Sequence, residues 1–363
     1  MPPSAIVNHR IVLHSRPVGA PTVDNFRLEE RGIPLPEPGQ VLLRTLYLSL
    51  DPYMRSRMSD EASYTAPVAV DEVMVGGTVS CVEASQHPDY QPGEHVLGYS
   101  GWQGYALSDG HDLTKLDTGI GMTHYTLALG VLGMPGLTAY RGLLDIGQPQ
   151  AGETVVVAAA SEVIGAVAGQ IAKLKDCRVI GIADGRDPCR FVVEELGFAA
   201  CIDRYNADFA GQLAAVCPKG IDIYFENIGG AVFDAVLPLL NVHARIPLCG
   251  LTAHYNDSGL PQGPDRLGLL ARTLLAKRIR MQGFTSFDDD GQHYEEFRGR
   301  MNTWVQEDKI KFREHIVDGL ENAPQAFVEL LAGHRYGGLL IRVGHEKEAV
   351  DEAAKADALS ARS

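Results

Sequence analysis

No stretch of the 363 residues approaches the roughly twenty consecutive apolar residues that a membrane-crossing helix needs. The N-terminus, Met1-Pro2-Pro3-Ser4-Ala5-Ile6, lacks both the charged start and the apolar run of a secretory signal. A cytoplasmic location, away from membranes, is therefore expected. Positive charge is short as well: 32 Lys and Arg against 46 Asp and Glu give a net charge of −14. That balance argues against nucleic acid or an anionic membrane as partner and leaves small molecules, with room for a local basic pocket around a phosphate. Close cysteine pairs are missing: Cys81, Cys177, Cys189, Cys201, Cys217 and Cys249 are scattered, and most read as small buried hydrophobes. There is no internal repeat.

What is present is the composition of an ordinary soluble protein, 45% hydrophobic and 21% charged, long enough for two domains. The chain is organised around Thr154-Val155-Val156-Val157-Ala158-Ala159-Ala160-Ser161-Glu162-Val163-Ile164-Gly165 and the run 178–182 that follows. An apolar run, a turn of small residues, an amphipathic stretch and a second β-branched run make the βαβ pattern of a parallel sheet buried on both faces. Such a turn lets backbone approach a pyrophosphate and offers the free N–H groups of the next helix to the anion. Ala159, Ala160, Ser161 and Gly165 suit that task. Glu162 stands where a glycine is expected and sets a negative charge beside a phosphate, so the turn alone reads equally as a structural βαβ turn or as a dinucleotide site.

Up to about residue 130 the chain is β-rich, with runs at 41–50, 73–82, 95–97 and 101–107 cut by Pro and Gly, the reading of a small irregular barrel. From 131 to about 310 strands and helices alternate, the pattern of a doubly wound α/β sheet, with later strands at 221–225 and 244–248. Functional residues are expected in the turns at the carboxyl ends of these strands. Helical spacing over 321–331 and a strand at 338–343 close the pattern, and the charged, Ala-rich tail from 345 to 363 is expected to fray or stay disordered.

Several runs together carry a family resemblance: Leu48-Ser49-Leu50-Asp51-Pro52-Tyr53-Met54-Arg55, Leu132-Gly133-Met134-Pro135-Gly136-Leu137-Thr138-Ala139-Tyr140, Gly169-Gln170-Ile171-Ala172-Lys173, Tyr224-Phe225-Glu226-Asn227-Ile228-Gly229-Gly230, Cys249-Gly250-Leu251 and Met281-Gln282-Gly283-Phe284. In these the sequence resembles the zinc-independent medium-chain dehydrogenase/reductases of the leukotriene B4 12-hydroxydehydrogenase, prostaglandin reductase and curcumin reductase group. The resemblance implies an α/β fold: a GroES-like β-rich substrate domain (1–130 and 311–345, with a tail at 346–363) around a Rossmann domain with a doubly wound parallel sheet (131–310). It also implies NADPH-dependent reduction of the C=C bond of α,β-unsaturated ketones and aldehydes, without metal, commonly in a homodimer. Where zinc-dependent relatives keep a Gly-His-Glu ligand segment, this chain reads Val75-Gly76-Gly77-Thr78. His87, Glu94 and His95, close in sequence, read as a solvated turn.

Enone reduction needs hydride at the β-carbon, a donor for the oxygen that gains charge, and a proton for the α-carbon. A tyrosine, neutral near pH 7, suits the second role. By resemblance Tyr255 is the carbonyl or proton partner, with Tyr53 and Tyr64 lining the pocket, although each could simply pack its ring and satisfy its hydroxyl on backbone. Met134 and Thr138 match positions beside the nicotinamide, and Asn227 a turn residue that either contacts the cofactor or caps its turn. Ser161, Val163, Ile164 and Gly165 belong to the pyrophosphate turn. Cys249, Gly250 and Leu251, with Phe284, Thr285 and Ser286, match the loops that close on the nicotinamide. Around the adenosine the pattern departs from the family. Asp184 at the end of the second strand suits the free ribose hydroxyl of NADH, whereas Arg186, Arg190 and Arg204 suit the 2′-phosphate of NADPH. NADPH is the expectation, with NADH kept open, and Arg335 is expected to reach the pyrophosphate and offset Glu162. The other readings are a quinone or alcohol oxidoreductase on the same fold, and a nucleotide-binding protein without catalysis.

Overall fold

The alternating and apolar runs of the first hundred residues form short strands that close on one another. In the computed structural model, which describes residues 7–60, 65–116, 124–257, 259, 265–286, 292–334 and 336–344, β1 (Asn8–Leu13) pairs antiparallel with β2 (Phe26–Arg31). β3 (Val41–Leu50) is the spine of the larger sheet, and eight of its ten residues are buried. A four-residue helix, α1 (Met54–Arg57), follows it. β4 (Thr78–Ser85) and β6 (Tyr105–Ser108) pair with β3, β5 (His95–Gly98) with β4, and β7 (Thr114–Lys115) with β5, all antiparallel.

The expected strand at 73–82 begins only at Thr78. Residues 74–77 instead run close beneath β3, where a Cβ at Gly76 would lie 2.6 Å from the Leu48 side chain. The strand expected over 101–107 likewise starts late, because the chain turns at Gly101 (φ +74°) to bury Trp102.

After α2 (Met134–Arg141) the parallel half begins. β8 (Thr154–Val157) is buried at all four positions because it lies in mid-sheet between two neighbours. Then follow α3 (Val163–Leu174), β9 (Arg178–Ala183), α4 (Arg186–Glu194), β10 (Ala200–Asp203), α5 (Phe209–Val216) and β11 (Ile221–Phe225). α6 (Gly230–Val236), β12 (Leu240–Leu248), α7 (Leu267–Lys277), β13 (Arg280–Gly283) and α8 (Gln292–Gln306) complete it. The strand order is β10-β9-β8-β11-β12-β13, all parallel. This is a Rossmann sheet.

β14 (Glu314–Asp318), α9 (Ala323–Leu331) and β15 (Gly338–Arg342) carry the chain back. β15 pairs antiparallel with β3, Leu339 opposite Leu50. Phe327 of α9 sets its ring edge-on to Trp102, 5.7 Å between centroids, and Trp102 stacks on Phe26 at 5.3 Å. The final helix is thus part of the first domain's core. The cysteine expectation needs correction: only Cys177 and Cys217 are buried, and the other four are half-buried. Cys189 and Cys201, brought together by α4 and β10, hydrogen-bond to each other, which lowers the first thiol's pKa and raises the second's. Among the described residues no helix is long and apolar enough to cross a membrane. The tail at 345–363 lies outside the described residues.

Candidate active site

The carboxyl ends of all six parallel strands open on one cavity of about 230 Å³. Ala159 and Ser161 follow β8, Asp184 follows β9, Arg204 follows β10, Asn227 follows β11, Cys249 follows β12, and Phe284, Thr285 and Ser286 follow β13. Because the order runs from β8 to β9 on one side and to β11 on the other, the crevice sits at the switch point where open α/β sheets bind ligands. Leu50, Asp51, Pro52 and Tyr53 from the end of β3, with Leu330 and Leu331 of α9, form the opposite wall. It is a cleft between the two domains.

At the centre of the cleft α3 starts behind Ser161, with Val163 and Ile164 also on the wall. Gly165 lies behind the wall and is there for space: a Cβ would come within 2.3 Å of the Ala159 carbonyl oxygen. Ala159 itself is held at φ +49°, in the left-handed region. Glu162, the N-cap residue of α3, lines the cavity, yet its side chain makes no cap hydrogen bond. Desolvation, reinforced by the negative charge of Asp184, pushes its carboxyl up to about 8. Burial likewise pushes Asp51 up to about 6, against a hydrogen bond from Ser49.

Each carboxyl keeps its proton to a higher pH folded than unfolded, so folding takes up protons between the two values and stability falls as pH rises through that window. For Glu162 the window runs from 4.5 to about 8. We expect the unfolding temperature of the ligand-free protein to fall from about pH 5 to about pH 8 and then level off. Calorimetry of Glu162→Gln should show a visibly shallower fall; parallel curves would put the titration on other groups.

On the β11 and β12 side the turn is built on Glu226, fully buried, whose Oε1 accepts from the backbone N–H of Ile228 (2.7 Å) and Gly229 (2.9 Å) and from the Tyr224 hydroxyl (3.1 Å). Asn227 O in turn accepts from Thr252 N–H at 3.2 Å, tying the two loops together. Gly250, off the cavity wall, is the clearance beneath them: a Cβ there would lie 2.1 Å from Asn227 Oδ1 and 3.3 Å from the Tyr255 hydroxyl. Tyr255 and Asn227 therefore converge. The Tyr255 loop is also anchored across the cleft, since the buried Arg55 of α1 donates Nε to Asn256 Oδ1 (3.1 Å), Nη2 to Gly19 O (2.8 Å) and Nη1 to Ser59 Oγ (3.0 Å). From α2, Met134 and Thr138 reach the wall, the Thr138 hydroxyl donating to Met134 O at 2.9 Å.

At the adenosine end Arg204 Nη2 donates to Asp184 Oδ2 at 2.6 Å and to the Tyr205 hydroxyl at 2.9 Å. The acid and the base weighed as rivals in the sequence form one ion pair. Arg186 stands exposed at the start of α4, and Arg190, also exposed, pairs with Asp187 at 3.3 Å. Neither is on the cavity wall, nor is the exposed Leu251. Tyr64 and Arg335 lie outside the described residues. Sequence reasoning gave no role to Asp51, Thr252 and Asn256, all of which line the cavity; the Asp-Pro-Tyr-Met-Arg run held the signal for the first.

Residues 9–116 match the family model described as the N-terminal domain of oxidoreductase, and residues 163–306 the one described as zinc-binding dehydrogenase. Among the described residues no three His, Cys, Asp or Glu groups come together as ligands for a metal ion. The NADPH-dependent curcumin reductase of Escherichia coli (strain K12) is 62% identical, over 93% of this chain and 97% of that protein. The 2-alkenal reductase (NADP(+)-dependent) of Nicotiana tabacum is 35% identical, over 94% and 99%. The crystal structure of CurA in complex with NADPH from Vibrio vulnificus matches with a TM-score of 0.90 at 58% identity, over 93% of this chain and 100% of that one. A β-rich domain packed on a Rossmann sheet, joined by a cleft at the strand ends, and near full-length identity of this order identify the chain as a member of the medium-chain dehydrogenase/reductase family, in its group of double-bond reductases.

Proposed function

We propose that this protein is an NADPH-dependent ene-reductase, delivering hydride to the β-carbon of hydrophobic α,β-unsaturated ketones and aldehydes while the α-carbon gains a proton. The observation that carries this is the convergence of the Tyr255 hydroxyl and the Asn227 side chain over Gly250, at the end of a cleft fed by six strand termini. The names of the curcumin and alkenal reductases and the NADPH complex of CurA support it. NADPH supplies the hydride when bound. The chain's own residues hold and polarise: Met134, Thr138, Cys249 and Phe284 to Ser286 flank the nicotinamide, Ser161 to Ile164 meet the pyrophosphate, and the Asp184–Arg204 pair meets the adenosine ribose with its 2′-phosphate. Tyr255 donates to the enone oxygen as it gains charge, and Tyr53 shapes the apolar pocket.

We take the domain limits to be those the resemblance implies, and the working form to be a cytoplasmic homodimer without metal. In support of the dimer, α7 buries none of its residues, exposing Leu267 (68%) and Leu275 (79%), beside β13 at the open edge of the sheet.

The test follows the absorbance of NADPH or NADH with a simple aryl enone, with the product identified. Saturated ketone formed with preference for NADPH is expected, and Tyr255→Phe should lower kcat by about a hundredfold, as loss of one oxyanion donor does. No turnover with either cofactor, or an undiminished phenylalanine variant, would overturn the reading or the assignment of Tyr255 respectively.

A further inference from the structure

We propose that Glu162 sets the affinity for the dinucleotide by accepting it only as the neutral acid, so that wherever its carboxyl is ionised the bound cofactor brings a proton with it. This rests on the reading that the cleft takes NADPH. A helix N-terminus at a Rossmann turn is an anion site because its free N–H groups and the helix dipole face the ligand. Here the residue at that end is itself an acid, lining the cavity and making no cap hydrogen bond. A carboxylate and a pyrophosphate compete for the same N–H groups and repel each other. A carboxylic acid does neither, and its O–H is a donor to a phosphate oxygen.

The surroundings hold the proton on. Among the described residues the charged groups acting on Glu162 are Asp184 from β9 and Asp51 from the end of β3, both opposing ionisation, and Arg204 from β10, favouring it. Arg204 is already engaged by Asp184. The α9 to β15 segment contributes Leu330, Leu331, Gly333 and Gly337 to Gly338 to the cleft; between them stand the exposed His334 and, outside the described residues, Arg335, which is expected to offset Glu162. Among the described residues, desolvation and two acids against one paired base favour the neutral form and push the carboxyl up to about 8 before any anion arrives. A bound pyrophosphate raises it further. Below that point the acid enters the complex as it stands; above it the reaction is carboxylate plus proton plus NADPH giving the same complex.

The experiment is a fluorescence titration of the full chain with NADPH from about pH 7 to about pH 9.5, with NADH in parallel, circular dichroism confirming the fold at each point. The 2′-phosphate ionises near 6, below this range. Linkage gives a Kd that is nearly flat below about 8 and then rises about tenfold per pH unit, about thirtyfold in all, with Glu162→Gln flat throughout. Asp184→Asn, removing one of the opposing acids, should move the break to lower pH. Should the glutamine variant not fold, calorimetry of the parent in two buffers of different ionisation enthalpy reads the proton directly: about 0.1 taken up per NADPH at pH 7, about 0.5 at pH 8 and about 0.9 at pH 9. A Kd independent of pH, equal slopes in parent and Glu162→Gln, or no proton uptake would overturn the proposal while leaving the cofactor reading intact. Failure to bind NADPH at any pH would overturn both.

Discussion

Replacing Gly250 by alanine is expected to lower kcat by about a hundredfold while the protein stays folded, because a misplacement of about 1 Å at reacting groups costs that much. The cause is space, not backbone freedom: Gly250 is not among the glycines with positive φ, so alanine suits its backbone. Its Cβ, however, would stand 2.1 Å from Asn227 Oδ1, far inside contact distance, and 3.3 Å from the Tyr255 hydroxyl. The backbone of Asn227 is held, since its oxygen accepts from Thr252 and its turn is fixed by Glu226, so the side chain is what must swing away. Displacement therefore reaches the groups proposed to meet the nicotinamide and the enone. A control separates this from a generic glycine effect. Gly268 of α7, where a Cβ meets nothing within 4 Å, should accept alanine with unchanged turnover and slightly higher stability, as helix propensity dictates. Parent-like kcat in Gly250→Ala, with the unfolding temperatures of both variants in hand, would remove Asn227 and Tyr255 from the chemistry.

Gly250 also shows where the sequence stops being readable. A glycine after a strand announces a turn, and the role of the loop was legible from its motif, but nothing in Cys249-Gly250-Leu251 says that two side chains from elsewhere close over it. The βαβ unit was legible because its signals are local: four β-branched or apolar residues, small residues, then a helical stripe. The return of β15 to β3 was legible only through resemblance, since antiparallel pairing across almost three hundred residues leaves no local mark. Charge was the hardest to read. Asp184 and Arg204, twenty residues apart, looked like rival ligands for a ribose, and only the adjacency of β9 and β10 makes them partners. Asp51 sits in a motif in plain view, yet its raised titration comes from burial that the motif does not show. Glu162 was visible as a misfit from the start; what the turn could not show was the pair of acids around it.

Glu226→Ala is expected to be among the most destabilising single changes in the chain, at about 3–5 kcal/mol. The residue is fully buried, and one oxygen accepts three hydrogen bonds. Removing it strands two backbone N–H groups and the buried Tyr224 hydroxyl where water does not reach, at about 1–3 kcal/mol for each group that finds no new partner. Burial raises the carboxyl's pKa against the pull of the Ile228 and Gly229 N–H groups, and the three hydrogen bonds need only an acceptor oxygen at the Oε1 position. Glu226→Gln keeps that acceptor and nearly the same shape, and should lose no more than about half as much. Urea unfolding of the three proteins measures the difference, and equal losses in the two variants would mean that the negative charge, rather than the acceptor geometry, holds the turn. Since a domain of ordinary stability has only about 5–15 kcal/mol in total, the alanine protein should also bind NADPH more weakly than its folded fraction predicts: the turn it loosens is the one that presents Asn227 to the cleft.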